Sequence, residues 1–113
     1  MTDDRRRPPV RDGRLTLARD GRDWPNSDAS QMVEAGGLRW HAQRMGAGPK
    51  MLLVHGAGAS THSWRGLAPL LATRFDILAP DLPGHGFSDS LRSGVPSLPA
   101  MSKALHHLLD ALD

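Results

Sequence analysis

No cysteine occurs among the 113 residues. Disulfides and thiolate metal sites are therefore excluded, and a reducing, cytoplasmic compartment fits. Long apolar runs are also missing. The longest candidates are Met51–Val54 and Ile77–Leu78 with their neighbours, far short of the roughly 20 residues that span a bilayer. The N-terminus has no apolar segment of the roughly 7–15 residues that a secretory signal carries. It is rich in arginine but also holds aspartates, which argues against a transit peptide. Apolar residues make up 39% of the chain, enough for one core but not a rich one, and nine prolines with twelve glycines imply much loop. The length allows one domain at most, and a complete doubly wound α/β domain usually needs more chain.

Charge is concentrated at one end. Residues 1–22 hold seven arginines against Asp3, Asp4, Asp12 and Asp20. The rest of the chain is close to neutral, so the basic character belongs to the head. That weakens any reading of the body as a nucleic-acid binder. Residues 1–29 lack sustained periodicity and read as a basic, flexible arm, with residues 30–113 as the domain. The arm suits a solubilising tail or weak contact with an anionic membrane surface. Trp24, beside Pro25, is placed to dock it.

From residue 30 the pattern becomes regular. Leu38, Trp40 and Ala42 alternate with Arg39, His41 and Gln43, and Gly36-Gly37 precedes them, which predicts a β-hairpin over 30–45. His41 falls on the polar face and reads as solvent-facing. Met51–Val54 is a continuous apolar run, expected of a strand buried on both faces of a parallel sheet. Trp64, Leu67, Ala68 and Leu71 have helical spacing, with Ser63 as the expected cap. Phe75, Ile77, Leu78 and Ala79 predict another buried strand, ended by Pro80-Asp81. Residues 82–96 read as a long loop. Ser97 and Pro99 then signal a helix carrying Leu98, Met101, Leu105, Leu108, Leu109 and Leu112. Hairpin, strand, helix, strand, loop and helix imply an α/β fold with a mostly parallel sheet and helices packed on it.

Two loops carry the chemistry. His55-Gly56-Ala57-Gly58-Ala59-Ser60 joins a buried strand to a helix. Its glycines allow a sharp turn and close backbone approach to a ligand, and its backbone N–H groups favour negative charge. Such a loop suits an oxyanion hole or a phosphate loop equally. Neither G-x-x-x-x-G-K-[ST] nor G-x-G-x-x-G is present. The second loop, Asp81-Leu82-Pro83-Gly84-His85-Gly86-Phe87-Ser88, follows the next strand, on the edge where such sheets bind ligands. His62 and His85 lie in loops over this edge, where they could touch a substrate; the structural reading is the plainer one. His106 and Asp110 have i, i+4 spacing that can bind a metal, but no third ligand is evident and a solvated helix face is the plainer reading. No cofactor or metal is implied.

With Trp64 and Leu67-Ala68-Pro69-Leu70-Leu71 between them, these two loops resemble the α/β-hydrolase superfamily, from about residue 31 to the end of the chain. Within it, Asp23-Trp24-Pro25-Asn26, Gly36–His41 and His55–Trp64 are similar to the family of magnesium-chelatase accessory proteins of bacteriochlorophyll biosynthesis. The resemblance implies that Ala57 gives one oxyanion-hole backbone N–H, that Gly56 and Gly58 shape the turn, and that His55 braces the loop rather than acting as a base. Asp81 would fix its loop. The nucleophile elbow G-x-S-x-G does not occur. Gly58-Ala59-Ser60 and Gly86-Phe87-Ser88 lack the second glycine, so Ser60 reads as a loop or capping serine and Ser88 as part of the tight turn. Nucleophile, acid and catalytic histidine are expected beyond Asp113, in an N-terminal fragment inactive by itself. Two functions follow as expectations: part of a serine-type ester hydrolase acting on a small molecule, or a non-catalytic scaffold that binds a tetrapyrrole and magnesium-chelatase subunits.

Overall fold

A computed structural model describes residues 16–91 and 97–112. The arginine cluster ahead of residue 16 and the end of the expected loop, 92–96, lie outside the described residues. A one-turn helix, α1 (Leu17–Asp20), leads into two 3-10 turns at Gly21–Asp23 and Ser27–Ala29. The hairpin β1 (Ser30–Ala35) and β2 (Leu38–Met45) follows, then β3 (Lys50–Leu52), a 3-10 turn at Thr61–Trp64, α2 (Leu67–Leu71), β4 (Asp76–Pro80) and α3 (Leu98–Leu112). The sheet order is β1-β2-β4-β3.

The hairpin forms where its alternation predicts. Gly36 and Gly37 take φ of 59° and 80°, the paired positive values a two-residue turn between right-twisted strands requires. Only β3 and β4 pair in parallel; β2 joins β4 antiparallel, with Ala42 opposite Pro80 and Met45 opposite Ile77. The sheet is therefore mixed, and the parallel part expected from the strand–helix–strand unit is its β3–β4 side.

Each face has its own core. On one, Leu53, Ala68, Ile77 and Ala79 are buried together, with Met45, Met51, Trp64 and Leu71 packed against them. On the other, Ala35, Leu38 and Trp40 of the hairpin meet Ala104 and Leu108 of α3. Ser97 caps α3, its hydroxyl accepting from the Ala100 N–H at 3.3 Å.

Three expectations are corrected. The Met51–Val54 strand is not buried on both faces: Leu53 is 9% exposed, but Leu52 is 38% and Val54 43% exposed. Alternation sends Met51 and Leu53 toward α2, whereas α3 packs on the hairpin and does not reach Leu52 and Val54. The α2 region is not capped by Ser63. Ser60 takes that place, accepting from the His62 N–H at 3.2 Å, and the chain turns as a 3-10 helix before α2 begins. Gly66 interrupts the run, and Pro69 sits in the first turn of α2, where its missing N–H costs nothing. Third, His41 does not face solvent; it is fully buried. It does lie on the polar face of β2, but residues 24–30 and the loop after β4 cover that face.

Residues 16–29, read as part of the arm, pack on the domain. The Trp24 indole donates to Thr61 Oγ1 at 2.8 Å and meets the Phe87 ring edge-on at 4.6 Å. The Gln43 amide donates to the carbonyls of Pro25, at 2.8 Å, and Asn26, at 3.2 Å.

Candidate functional site

Both chemistry-bearing loops leave the same end of the sheet, one after β3 and one after β4. Parallel neighbours must deliver their C-terminal loops side by side, and three anchors lock these two together.

Asp81 is the first anchor. Its carboxylate accepts from the Thr61 N–H at 2.7 Å, the Phe87 N–H at 2.9 Å and His41 Nδ1 at 2.7 Å. One side chain thus binds the first loop, the second loop and strand β2. Burial alone would raise its carboxyl pKa. The bonds from His41, Phe87 and Thr61 outweigh that and hold it below the ordinary 3.8. Gly86 makes this possible: it takes φ of 51°, and a Cβ there would collide with the Asp81 carboxylate. Ser88 completes the corner, donating to the Asp81 carbonyl at 2.6 Å and accepting from the His41 N–H at 2.9 Å.

His55 and His85 are the second and third anchors, and they are reciprocal. His55, in the first loop, accepts the Leu82 N–H of the second loop on Nε2 at 3.0 Å. His85, in the second loop, accepts the Gly58 N–H of the first on Nε2 at 3.0 Å. An amide N–H can only donate, so each Nε2 is bare and each Nδ1 carries the proton. Those protons go to the Gly56 carbonyl, at 2.7 Å, and the Pro83 carbonyl, at 3.0 Å. Every ring nitrogen of the two histidines is thereby occupied in holding backbone.

Two amides of the first loop are bonded within the site. Gly58 N–H goes to His85, and Ala59 N–H to the Gly56 carbonyl at 3.1 Å. The N–H groups of Gly56, Ala57 and Ser60 have no acceptor among the described residues, and Gly56 and Ala57 are exposed. Gly58 takes φ of 79°, while Gly56 stays outside the left-handed region and a Cβ there would meet nothing within 4 Å. The loop therefore leaves backbone N–H groups at the strand end without an acceptor among the described residues. Beside it lies a cleft of about 380 Å³ reaching from Gly58 to Trp24, Arg65 and Gly86.

A second constellation was not legible in the sequence. His41 Nδ1 meets Asp81 and its Nε2 meets Ser30 Oγ at 2.8 Å, the order of contacts found in hydrolytic triads. It lacks the rest of the equipment. His41 is wholly buried, and Ser30 Oγ also accepts from the Gln43 amide at 3.1 Å. The group ties the arm side of the sheet together. It depends on the β2–β4 register, which no local pattern encodes. His106 and Asp110 are both exposed, and no group of three or more metal-ligand side chains gathers among the described residues.

The mixed sheet and its paired strand-end loops are those of an α/β-hydrolase fold. The family of that description matches residues 49–113, more than half the chain, and the chain belongs to it. Among its relatives, it is similar to the magnesium-chelatase 30 kDa subunit of Rhodobacter capsulatus, 38% identical over 92 residues, covering 80% of this chain and 32% of that one. A soluble epoxide hydrolase of Corynebacterium is 40% identical over 58 residues, 51% of this chain and 20% of that one. The crystal structure of a bacterial membrane phospholipase A superposes with a TM-score of 0.73 at 25% identity, over 85% of this chain and 33% of that one. The chain thus spans about a third or less of the length of these relatives.

Proposed function

We propose that this chain supplies the oxyanion-binding part of an α/β-hydrolase active site, with the Ala57 backbone N–H as one of its donors. The supporting observation is the amide pattern: the Gly58 and Ala59 N–H groups are bonded within the site, whereas the exposed Ala57 N–H, like that of Gly56, has no acceptor among the described residues; the family resemblance selects Ala57 of the two. In acyl transfer, negative charge grows on the carbonyl oxygen as a nucleophile attacks. A donor already fixed in place stabilises that charge without reorganising. His55, Gly56 and Gly58 would hold the donor. The nucleophile, its acid and its base would come from sequence other than these 113 residues, which contain no G-x-S-x-G.

Ala57→Pro in the full-length protein removes the N–H and leaves the side chain apolar. Hydrolysis of a model ester should fall about 100- to 1,000-fold, while Ala57→Ser, which keeps the N–H, stays near the starting rate. Unchanged turnover in a folded Ala57→Pro protein would sink the proposal.

A second reading rests on the 38% identity to the magnesium-chelatase subunit. In it the fold is a binding scaffold in the cytoplasm for a tetrapyrrole and chelatase subunits, and the arginine-rich head makes the electrostatic contact. Salt-sensitive co-purification of a chelatase subunit, lost on removing residues 1–15, is the expected result. Ester turnover with no such partner would favour the first reading.

A further inference from the structure

We propose that the cleft beside the Ala57 loop is a subsite for the carboxylate of a small organic acid, bound by Arg65. Its place next to a reacting carbonyl rests on the oxyanion reading above; the binding itself does not.

Charge is the first argument. The cleft is lined by Trp24, Gly58, Ser60, His62 and Arg65 among others, and no acidic side chain lines it. Arg65 forms no ion pair among the described residues. Only its Nη1 is engaged, donating to the His62 carbonyl at 3.2 Å and approaching His62 Nδ1 at 3.5 Å. A guanidinium has five N–H donors, so the edge formed by Nε and Nη2 is left for a bidentate partner. A carboxylate matches that edge in shape and charge.

Rigidity is the second argument. The Arg65 carbonyl accepts from the Asn26 side chain at 3.2 Å, which pins the backbone from which the guanidinium extends to the docked segment. Trp24 also lines the cleft, held by its bond to Thr61 and by edge contacts to His62 and Phe87. The cleft thus brings a cation and an indole ring into the lining of one space of about 380 Å³, within the range of small-ligand pockets. That volume suits a compact aryl or alkyl acid rather than a long chain.

The test is a titration of the full-length, ¹⁵N-labelled protein, read at the Trp24 indole and Gly58 amide resonances. The probes are sodium phenylacetate and its neutral isostere phenylacetamide. The acid should bind about fivefold tighter than the amide, the scale of an exposed ion pair. Arg65→Gln should bring the acid down to the amide's level, and Arg65→Lys should keep part of the preference, because a point charge remains but the fork is lost. Equal binding of acid and amide would overturn the proposal. So would an Arg65→Gln protein that keeps the preference, or inorganic phosphate competing as well as phenylacetate. The two proposals fail separately: Ala57→Pro should lower turnover about 100- to 1,000-fold and leave the Arg65-dependent preference intact.

Discussion

On one face of the sheet His41, Gln43 and Asp81 are at most 1% exposed; on the other, Leu52 and Val54 are 38% and 43% exposed. Polar groups are inside and apolar groups outside, against the usual sorting. These three polar side chains can lie buried because each is hydrogen-bonded. His41 is bonded at both ring nitrogens, Gln43 donates to two carbonyls and a hydroxyl, and the Asp81 carboxylate takes three donors. A satisfied polar group in the interior is tolerated, whereas an unpaired one costs about 1–3 kcal/mol. The exposed face shows the converse: apolar character does not bury a side chain unless an element lies over it. α3 covers the hairpin end and stops short of β3.

The largest expected effect breaks the buried face. Asp81→Ala strips acceptors from Thr61, Phe87 and His41 at once and should cost about 3–5 kcal/mol in urea unfolding, the scale for losing one partner of a buried pair. Asp81 also sets an acid limit. Its folded pKa lies below the ordinary 3.8, so its contribution is complete above that value and is lost as pH falls through the folded value. Asp81→Asn should flatten that acid limb; an unchanged limb would mean that another group sets it.

A middle effect is expected at the histidine clasp. His85→Ala removes the acceptor of the exposed Gly58 N–H and should cost about 0.5–1.5 kcal/mol, the net worth of one hydrogen bond. His55→Ala does the same to Leu82. Since both rings hold the same two loops, the double variant should cost less than the sum of the singles, by at least about 0.5 kcal/mol. Strict additivity would show that the loops are held independently. The smallest effect is expected on the open face, where Leu52→Thr and Val54→Thr should each change stability by no more than about 0.5 kcal/mol. A loss of several kcal/mol would show that this face is covered in the full-length protein, and would remove the asymmetry.

Local signals account for what the sequence discloses. The hairpin is written in a two-residue alternation and a Gly-Gly turn, and α3 in a leucine spacing behind Ser97. Both depend on neighbours a few residues apart, so one sequence suffices. The two loop motifs were also legible, because glycines and strand ends fall together there. The Asp81 network was not: its partners lie 40 residues upstream at His41 and 20 upstream at Thr61, and only the strand register brings them together. His41 shows the same limit. Alternation correctly assigns it to the polar face of β2, but whether that face meets water is decided by Trp24–Ser30, a segment without periodicity. Ser63 and Ser60 illustrate a finer one. Both precede the helical spacing closely enough to cap it, and the choice depends on Gly66, which splits the run into two short turns.

The bonds at Asp81 also bear on the order in which the protein opens. The amides of Thr61 and Phe87 donate to the same carboxylate from different loops, so releasing either one loosens the hold on the other. Hydrogen exchange should therefore report similar opening free energies for these two amides, although they lie 26 residues apart in the chain. The two loops would then behave as one cooperative unit, and any ligand that steadies one would slow exchange in both.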